Sequence, residues 1–265
     1  MDRREFIAAG AALAAATGTA GVEAHAAGAE SAREIYDLRT YTFESKDKLD
    51  RYAAFLTEAW LPATKRNGMA PAGAFVSADK PESLFIVVIA SFPSIAAWNG
   101  FETRLAADQE YLKAGASVLD LPATDPPYTH VESSVLGAFH SWPHIKAPKQ
   151  AASGEAHVFE LRTYESHSKK ANLKKIEMFD KGETDIFARA GFQPVFFSEA
   201  LSGPQLPNLT YMVTYPSVEA RDGFWKAFMA DPEKARLFAI PEYSDKLIVS
   251  KIHSTFLKPL PGSAL

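Results

Sequence analysis

Leu38-Arg39-Thr40-Tyr41 and Leu161-Arg162-Thr163-Tyr164 are the same tetrapeptide, placed 123 residues apart. The same offset aligns Arg66 with Arg189, Gly68 with Gly191, Pro71 with Pro194 and Pro81 with Pro204. It continues through Pro93-Ser94 and Pro216-Ser217, Gly100-Phe101 and Gly223-Phe224, and Ala107-Asp108 and Ala230-Asp231. Turn residues matched at one constant offset identify a duplicated unit, and a duplication constrains the architecture before any propensity is consulted.

Around the first tetrapeptide, Glu34 to Phe43 alternates with period two and is rich in aromatic and β-branched residues, which predicts a strand. Lys48 to Lys65 carries Leu49, Tyr52, Phe55, Leu56 and Trp60 at helical spacing, with Pro62 expected to kink it or to start a new short turn. Strands follow at Pro71 to Ser77 and Leu84 to Phe92, a second helix at Ser94, and a strand at Thr129 to Phe139. The second copy repeats the order: a strand at 157–165, a helix near 170–190, strands near 193–201 and 208–215, a helix from Ser217 and a strand at 247–256. This β-α-β-β-α-β order is the ferredoxin-like pattern, an antiparallel sheet with two helices on one face. The expected fold is therefore α+β, two tandem ferredoxin-like units over residues 33–139 and 157–257, with their sheets packed on each other. The Pro-, Lys- and Gly-containing segment 140–156 is expected to be the linker.

The chain opens with Arg3-Arg4, an Ala-rich apolar run from Ala8 to Val22, and Ala24-His25-Ala26 as a small-residue cleavage site. That order resembles a twin-arginine export signal over residues 1–26 and implies the export machinery as a partner and the periplasm as destination. The run is too short and too weakly apolar for a stable membrane span. Net charge is −4, and removing residues 1–26 takes the bases from 28 to 26 and the acids from 32 to 29, leaving −3. No basic surplus remains to attract nucleic acid. The chain has no cysteine, which removes disulfides, thiolate metal sites and cysteine nucleophiles. It also has no phosphate loop, dinucleotide fingerprint or nucleophile elbow.

The strand patterns Tyr36-Asp37-Leu38-Arg39-Thr40-Tyr41 and Phe159-Glu160-Leu161-Arg162-Thr163-Tyr164 resemble the strand that opens NIPSNAP domains. Gly68 and Gly191, the two Pro-Ser strand ends, and the Trp98/Phe101 and Phe224/Trp225 helices fit the same family. The resemblance covers nearly all of the chain beyond the signal, as two tandem domains. It implies the dimeric α+β barrel superfamily, which includes cofactor-free monooxygenases, small-ring isomerases, haem-dependent enzymes and binding proteins. The family brings no agreed enzymatic activity with it.

Strand alternation sets Tyr36, Leu38 and Thr40 on one face and Asp37, Arg39 and Tyr41 on the other, with Phe159, Leu161 and Thr163 against Glu160, Arg162 and Tyr164 in the copy. The apolar row is expected to meet the helices, and the acid–arginine–tyrosine row to face the space between the sheets. There the arginines could hold an anion bidentately, the tyrosines donate or stack, and Asp37 or Glu160 act as a base. The same row could instead be a structural ion-pair network. His130 with Glu132, two apart on one strand face, and His157 are secondary candidates. No histidine recurs in register, so a haem would use one half only; no cofactor and no metal site are predicted. The functional expectation is a small-molecule binding protein. The alternatives are a cofactor-free monooxygenase or isomerase, and a non-catalytic protein-interaction module. A monomer and a homo-oligomer are both compatible with two fused units.

Overall fold

The computed structural model describes residues 33–69 and 71–265 of the chain, and the export signal expected over residues 1–26 lies outside them. Eight strands are formed among the described residues: β1 Ile35–Thr42, β2 Ala72–Ser77, β3 Phe85–Phe92, β4 His130–Ala138, β5 Val158–Glu165, β6 Gln193–Ser202, β7 Asn208–Tyr215 and β8 Lys251–Pro259. Each half makes an antiparallel sheet, β4-β1-β3-β2 and β8-β5-β7-β6. The halves then join edge to edge. β2 pairs with β8 and β4 with β6, giving one closed barrel. Closure gives each of the eight strands two neighbours, which reduces the exposed backbone donors and acceptors that an open four-stranded sheet would present.

The duplicated residues explain the local structure. Ser45 and Ser168 occupy equivalent positions, and their hydroxyls cap helices Lys46–Phe55 and Lys169–Met178 by accepting from Lys48 N and Ala171 N. Each helix passes through a π-helical turn, Leu56–Trp60 or Phe179–Glu183, into a short helix, Leu61–Arg66 or Thr184–Arg189. Pro62 follows directly on the first π-helical turn, inside a run that stays helical through Trp60 and Leu61.

Two further helices, Gln109–Leu119 and Pro232–Phe238, were not expected. They start at the matched Asp108 and Asp231, which accept from Tyr111 N and from Glu233 N and Lys234 N. The matched arginines meet these same caps. Arg66 forks onto Asp108 at 2.9–3.2 Å, and Arg189 onto Asp231 at 2.9 and 3.1 Å. The offset of 123 thus preserved a pair whose acid also caps a helix. The helix expected from Ser217 begins later, at Arg221. The strand expected at 247–256 begins at Lys251, because Asp245–Ile248 turns as a helix first.

Segment 140–156 is packed against both halves. Ile145 is buried, its N–H donates to Glu34 Oε2 at 2.8 Å, and Lys146 N donates to Val195 O at 2.8 Å. The C-terminal tail behaves likewise: Leu260 N and Ala264 N donate to Ala74 O and Ala72 O, and Leu265 is buried. All described residues fall in one compact unit.

The lumen is a hydrophobic core. Tyr36, Phe75, Phe159, Phe196, Met212 and Leu257 fill it, joined by Ile145 and Leu265. Tyr36 meets Phe196 at 5.2 Å and Phe75 meets Phe159 at 5.0 Å between ring centroids. Such rings leave no room for relaxation when one is removed. Phe159→Ala is expected to cost about 3–5 kcal/mol, read as a lowered denaturant midpoint with an unchanged slope.

Candidate functional site

The lumen packing reverses one sequence-based expectation. Alternation sorts the first-strand residues into the right two rows, but the faces are exchanged. Tyr36 and Phe159 lie in the lumen core, with Leu38 and Leu161 packed against it. Asp37, Arg39 and Tyr41, and Glu160, Arg162 and Tyr164, point outward beneath the helices. An eight-stranded barrel is just wide enough to be filled by side chains, so burying the charged row inside would strip it of partners. The outer face supplies those partners from the helices.

In the first half, Asp37 is buried and surrounded by donors. Arg39 reaches it through Nε at 3.1 Å and Nη2 at 2.7 Å, Trp98 Nε1 at 3.0 Å and Ser133 Oγ at 3.2 Å. Arg39 Nη2 also contacts the exposed Glu102 at 2.8 Å. In the second half, Glu160 is fully buried. It accepts from Arg162 at 2.5 Å, Ser254 at 2.6 Å, Tyr215 at 2.7 Å, and Arg221 at 3.1 and 3.2 Å. Trp98 and Arg221 are equivalent by the offset of 123 and both donate to the acid. Ser133 and Ser254 are equivalent by register, each lying opposite the row's arginine. These helix and last-strand donors went unrecognised in the sequence. The signal that could have found two of them is the placement of two long donors, Trp98 and Arg221, at one repeat position.

The donors decide what the acids can do. Burial would raise the Glu160 pKa, but the charge of Arg162 and hydrogen bonds from Ser254, Arg221 and Tyr215 outweigh it and hold the carboxyl at about 2. A carboxylate so held is a fixed counter-ion and a poor base, which overturns the general-base role expected for Glu160. Asp37 is likewise hydrogen-bonded by Arg39, Trp98 and Ser133.

Beyond the ion pairs the halves diverge. Arg162 donates to the Tyr164 hydroxyl at 3.2–3.3 Å, and Tyr164 and Tyr211 hydroxyls are hydrogen-bonded at 2.8 Å. Lys175 is buried beside Tyr164. Burial favours its neutral amine, but Glu183 at 3.1 Å and Asp245 at 3.2 Å prevail and raise its pKa. The buried Asn172 amide has no partner among the described residues. Where the second half has Asn172 and Lys175, the first half has Leu49 and Tyr52. The first half's sheet–helix interface is accordingly aromatic: Tyr41 packs on Tyr52 at 4.8 Å and on Tyr128 at 5.1 Å. Burial raises the pKa of Tyr52, of Tyr128 and, to about 12, of Tyr111, so these phenols stay protonated donors at neutral pH. Arg39 is the more accessible of the two row arginines, its side chain 26% exposed against 10% for Arg162.

The secondary candidates disperse. His130 is exposed, with Nε2 4.0 Å from Glu132 Oε1. His157 packs edge-on against Phe159, its Nδ1 2.8 Å from Glu155 O, in a separate groove. Glu132 lines a cavity of about 220 Å³ at one mouth of the barrel, together with His253, which the sequence reading did not single out. Among the described residues no group of three metal-ligating side chains comes together.

Glu160 yields a signed pH dependence. Its folded pKa lies below the unfolded value of 4.5, so its stabilisation is complete above pH 4.5 and is lost as pH falls toward 2. Chemical denaturation of the wild type should lose about 3 kcal/mol across that window from this group. Glu160→Gln is expected to be less stable at pH 7 and to lack that part of the acid slope.

Residues 159–264 match the family model described as NIPSNAP. No curated protein matches the chain at a significant level. Among solved structures, a candidate monooxygenase from Fusobacterium nucleatum superposes with a TM-score of 0.56 at 8% identity, covering 87% of this chain and 94% of that one. A second candidate monooxygenase, from Lactobacillus acidophilus, gives 0.56 at 12%, covering 86% and 94%. An anthrone oxidase-like protein gives 0.52 at 12%, covering 87% and 92%. At these identities the likeness concerns the fold alone. The chain thus has the dimeric α+β barrel fold, and its second half is similar to the NIPSNAP family.

Proposed function

We propose that this chain is an exported small-molecule binding protein whose ligand is a compact aromatic anion. Its site is the part of the first half's sheet–helix interface where Arg39 reaches the surface beside Glu102. The observation that carries the proposal is the setting of Arg39. Asp37 fixes its Nε and Nη2 edge, and the exposed Glu102 carboxylate rests on Nη2 at 2.8 Å, next to a cluster of tyrosines. A ligand carboxylate would take the place Glu102 occupies, and its ring would lie against Tyr41, Tyr111 and Tyr128. Protonated phenols add hydrogen-bond donors to the same anion.

The fold neighbours bring oxygenase chemistry into consideration, with Arg39 stabilising an enolate formed on an aromatic substrate. That chemistry needs a base to take the substrate proton. Asp37 and Glu160 are both engaged as counter-ions, so the geometry favours binding over proton abstraction. Barrel closure within one chain supports a protein that needs no second copy to complete its sheet. Export rests on the order of Arg3-Arg4, the apolar run and Ala24-His25-Ala26; replacing both arginines by lysine is expected to leave the protein in the cytoplasmic fraction.

Isothermal titration with benzoate tests the site. Arg39→Met should weaken benzoate roughly tenfold or more, the scale of one charge-assisted pair, and Glu102→Gln should tighten it by removing the competing carboxylate. Benzoate affinity unchanged in both variants, with the fold intact by circular dichroism, would overturn the assignment.

A further inference from the structure

The mouth of the barrel holds a cavity that the acid–arginine–tyrosine rows do not reach, and its walls come from both halves. β1 contributes Leu38 and Thr40, and β5 contributes their repeats Leu161 and Thr163. Across the sheet, Leu38 faces Ser134 and Thr40 faces Glu132 on β4. Leu161 faces Thr255 and Thr163 faces His253 on β8. The two halves therefore line the cavity with equivalent sets, a leucine floor and a hydroxyl rim. They differ at two positions: Ser134 stands where the second half has Thr255, which keeps a hydroxyl, and the acid Glu132 stands where it has the imidazole of His253.

The cover of the cavity comes from one half only. The β6–β7 hairpin sets Pro204 and Gln205 over the mouth. Asn208 Nδ2 holds the hairpin by donating to Pro204 O and Gln205 O, both at 3.2 Å. Its Oδ1 accepts from Thr210 at 3.2 Å, and Thr210 is hydrogen-bonded to Thr163 at 2.9 Å. Gly203, at φ 137°, lets the hairpin run against Ser134, where an added Cβ would lie 2.5 Å from Oγ. Gln205 adopts φ 60°, the left-handed region that non-glycine residues seldom occupy, and its side chain lines the cavity. A strained residue held over a polar cavity by a side-chain network is a built feature.

We propose that this mouth is a second binding site, for a compact polyhydroxylated molecule of the size of glycerol or a pentose. The volume, about 220 Å³, lies below the ~300 Å³ at which pockets for drug-sized ligands begin. Threonine and serine hydroxyls both donate and accept, which suits a ligand whose own groups are hydroxyls. The leucine floor suits its C–H face. Glu132 supplies an acceptor at one end and His253, whose Nε2 lies 2.5 Å from Glu165 Oε1, a ring nitrogen at the other. That difference gives the bound molecule one orientation in an otherwise symmetric site.

Arg39 and its tyrosines do not line this cavity, and the test keeps the two sites apart. Calorimetric titration of the full chain with D-ribose and with glycerol is expected to show saturable binding. Glu132→Gln, at an exposed rim position, should weaken ribose roughly tenfold, as one hydrogen bond to a charged acceptor predicts. Thr40→Val, which conserves shape, should weaken it several-fold. Excess benzoate should leave ribose binding unchanged. The proposal is overturned if neither probe binds the wild type at millimolar concentration. It is equally overturned if Glu132→Gln and Thr40→Val bind ribose as the wild type does, or if benzoate displaces ribose.

Discussion

Everything in this structure depends on how two four-stranded sheets dispose of their edges. Each half alone would leave β2 and β4, or β6 and β8, with a row of unpaired N–H and C=O groups. Pairing β2 with β8 through Phe75–Ser77 and β4 with β6 through Val135–Ala138 covers the adjoining part of each edge and closes the barrel. Closure in turn fixes the lumen at a width that side chains fill, and the lumen then takes the apolar row of the first strands. The charged row has only the outer face left, and there the helices must complete its hydrogen bonds. The position of both candidate sites follows from that sequence of constraints.

Duplication preserved the ion-pair frame and released what surrounds it. Both halves keep an acid, an arginine and a tyrosine on the opening strand, a donor from the second helical region, and a serine from the last strand. Beyond that frame, the first helix of each half buries Leu49 and Tyr52 or Asn172 and Lys175. One half holds a packed aromatic cluster beside a partly exposed arginine, the other a buried polar network around Lys175. A fully satisfied frame of this kind rigidifies the sheet–helix contact, which lets the remaining positions vary without loss of register.

The same logic applies at the barrel mouth. Equivalent strand positions deliver hydroxyls on both sides, and the exchange of acid for imidazole between Glu132 and His253 breaks the symmetry in charge. The hairpin cover is likewise present on one side only. Pseudo-symmetric architecture with local asymmetry is a direct route to two unlike sites within one small barrel.

Much of the fold was legible in the chain because duplication prints it twice. The constant offset exposed the repeat, and period-two alternation separated the two rows of the opening strands. The paired Arg66–Asp108 and Arg189–Asp231 were visible as matches but not as contacts, since their meeting depends on the path of the intervening chain. What alternation by itself could not decide is which row faces inward. Both rows satisfy the same period, and the choice belongs to closure. Only the closed barrel determines how narrow the lumen is and which helix donors stand above Asp37 and Glu160. Local sequence determined the strands, the helices and the sorting of their side chains, because those follow from neighbours a few residues apart. The tertiary structure alone decided inside from outside and pocket from counter-ion, because those depend on partners about sixty residues or more away, such as Trp98 for Asp37 and Arg221 for Glu160.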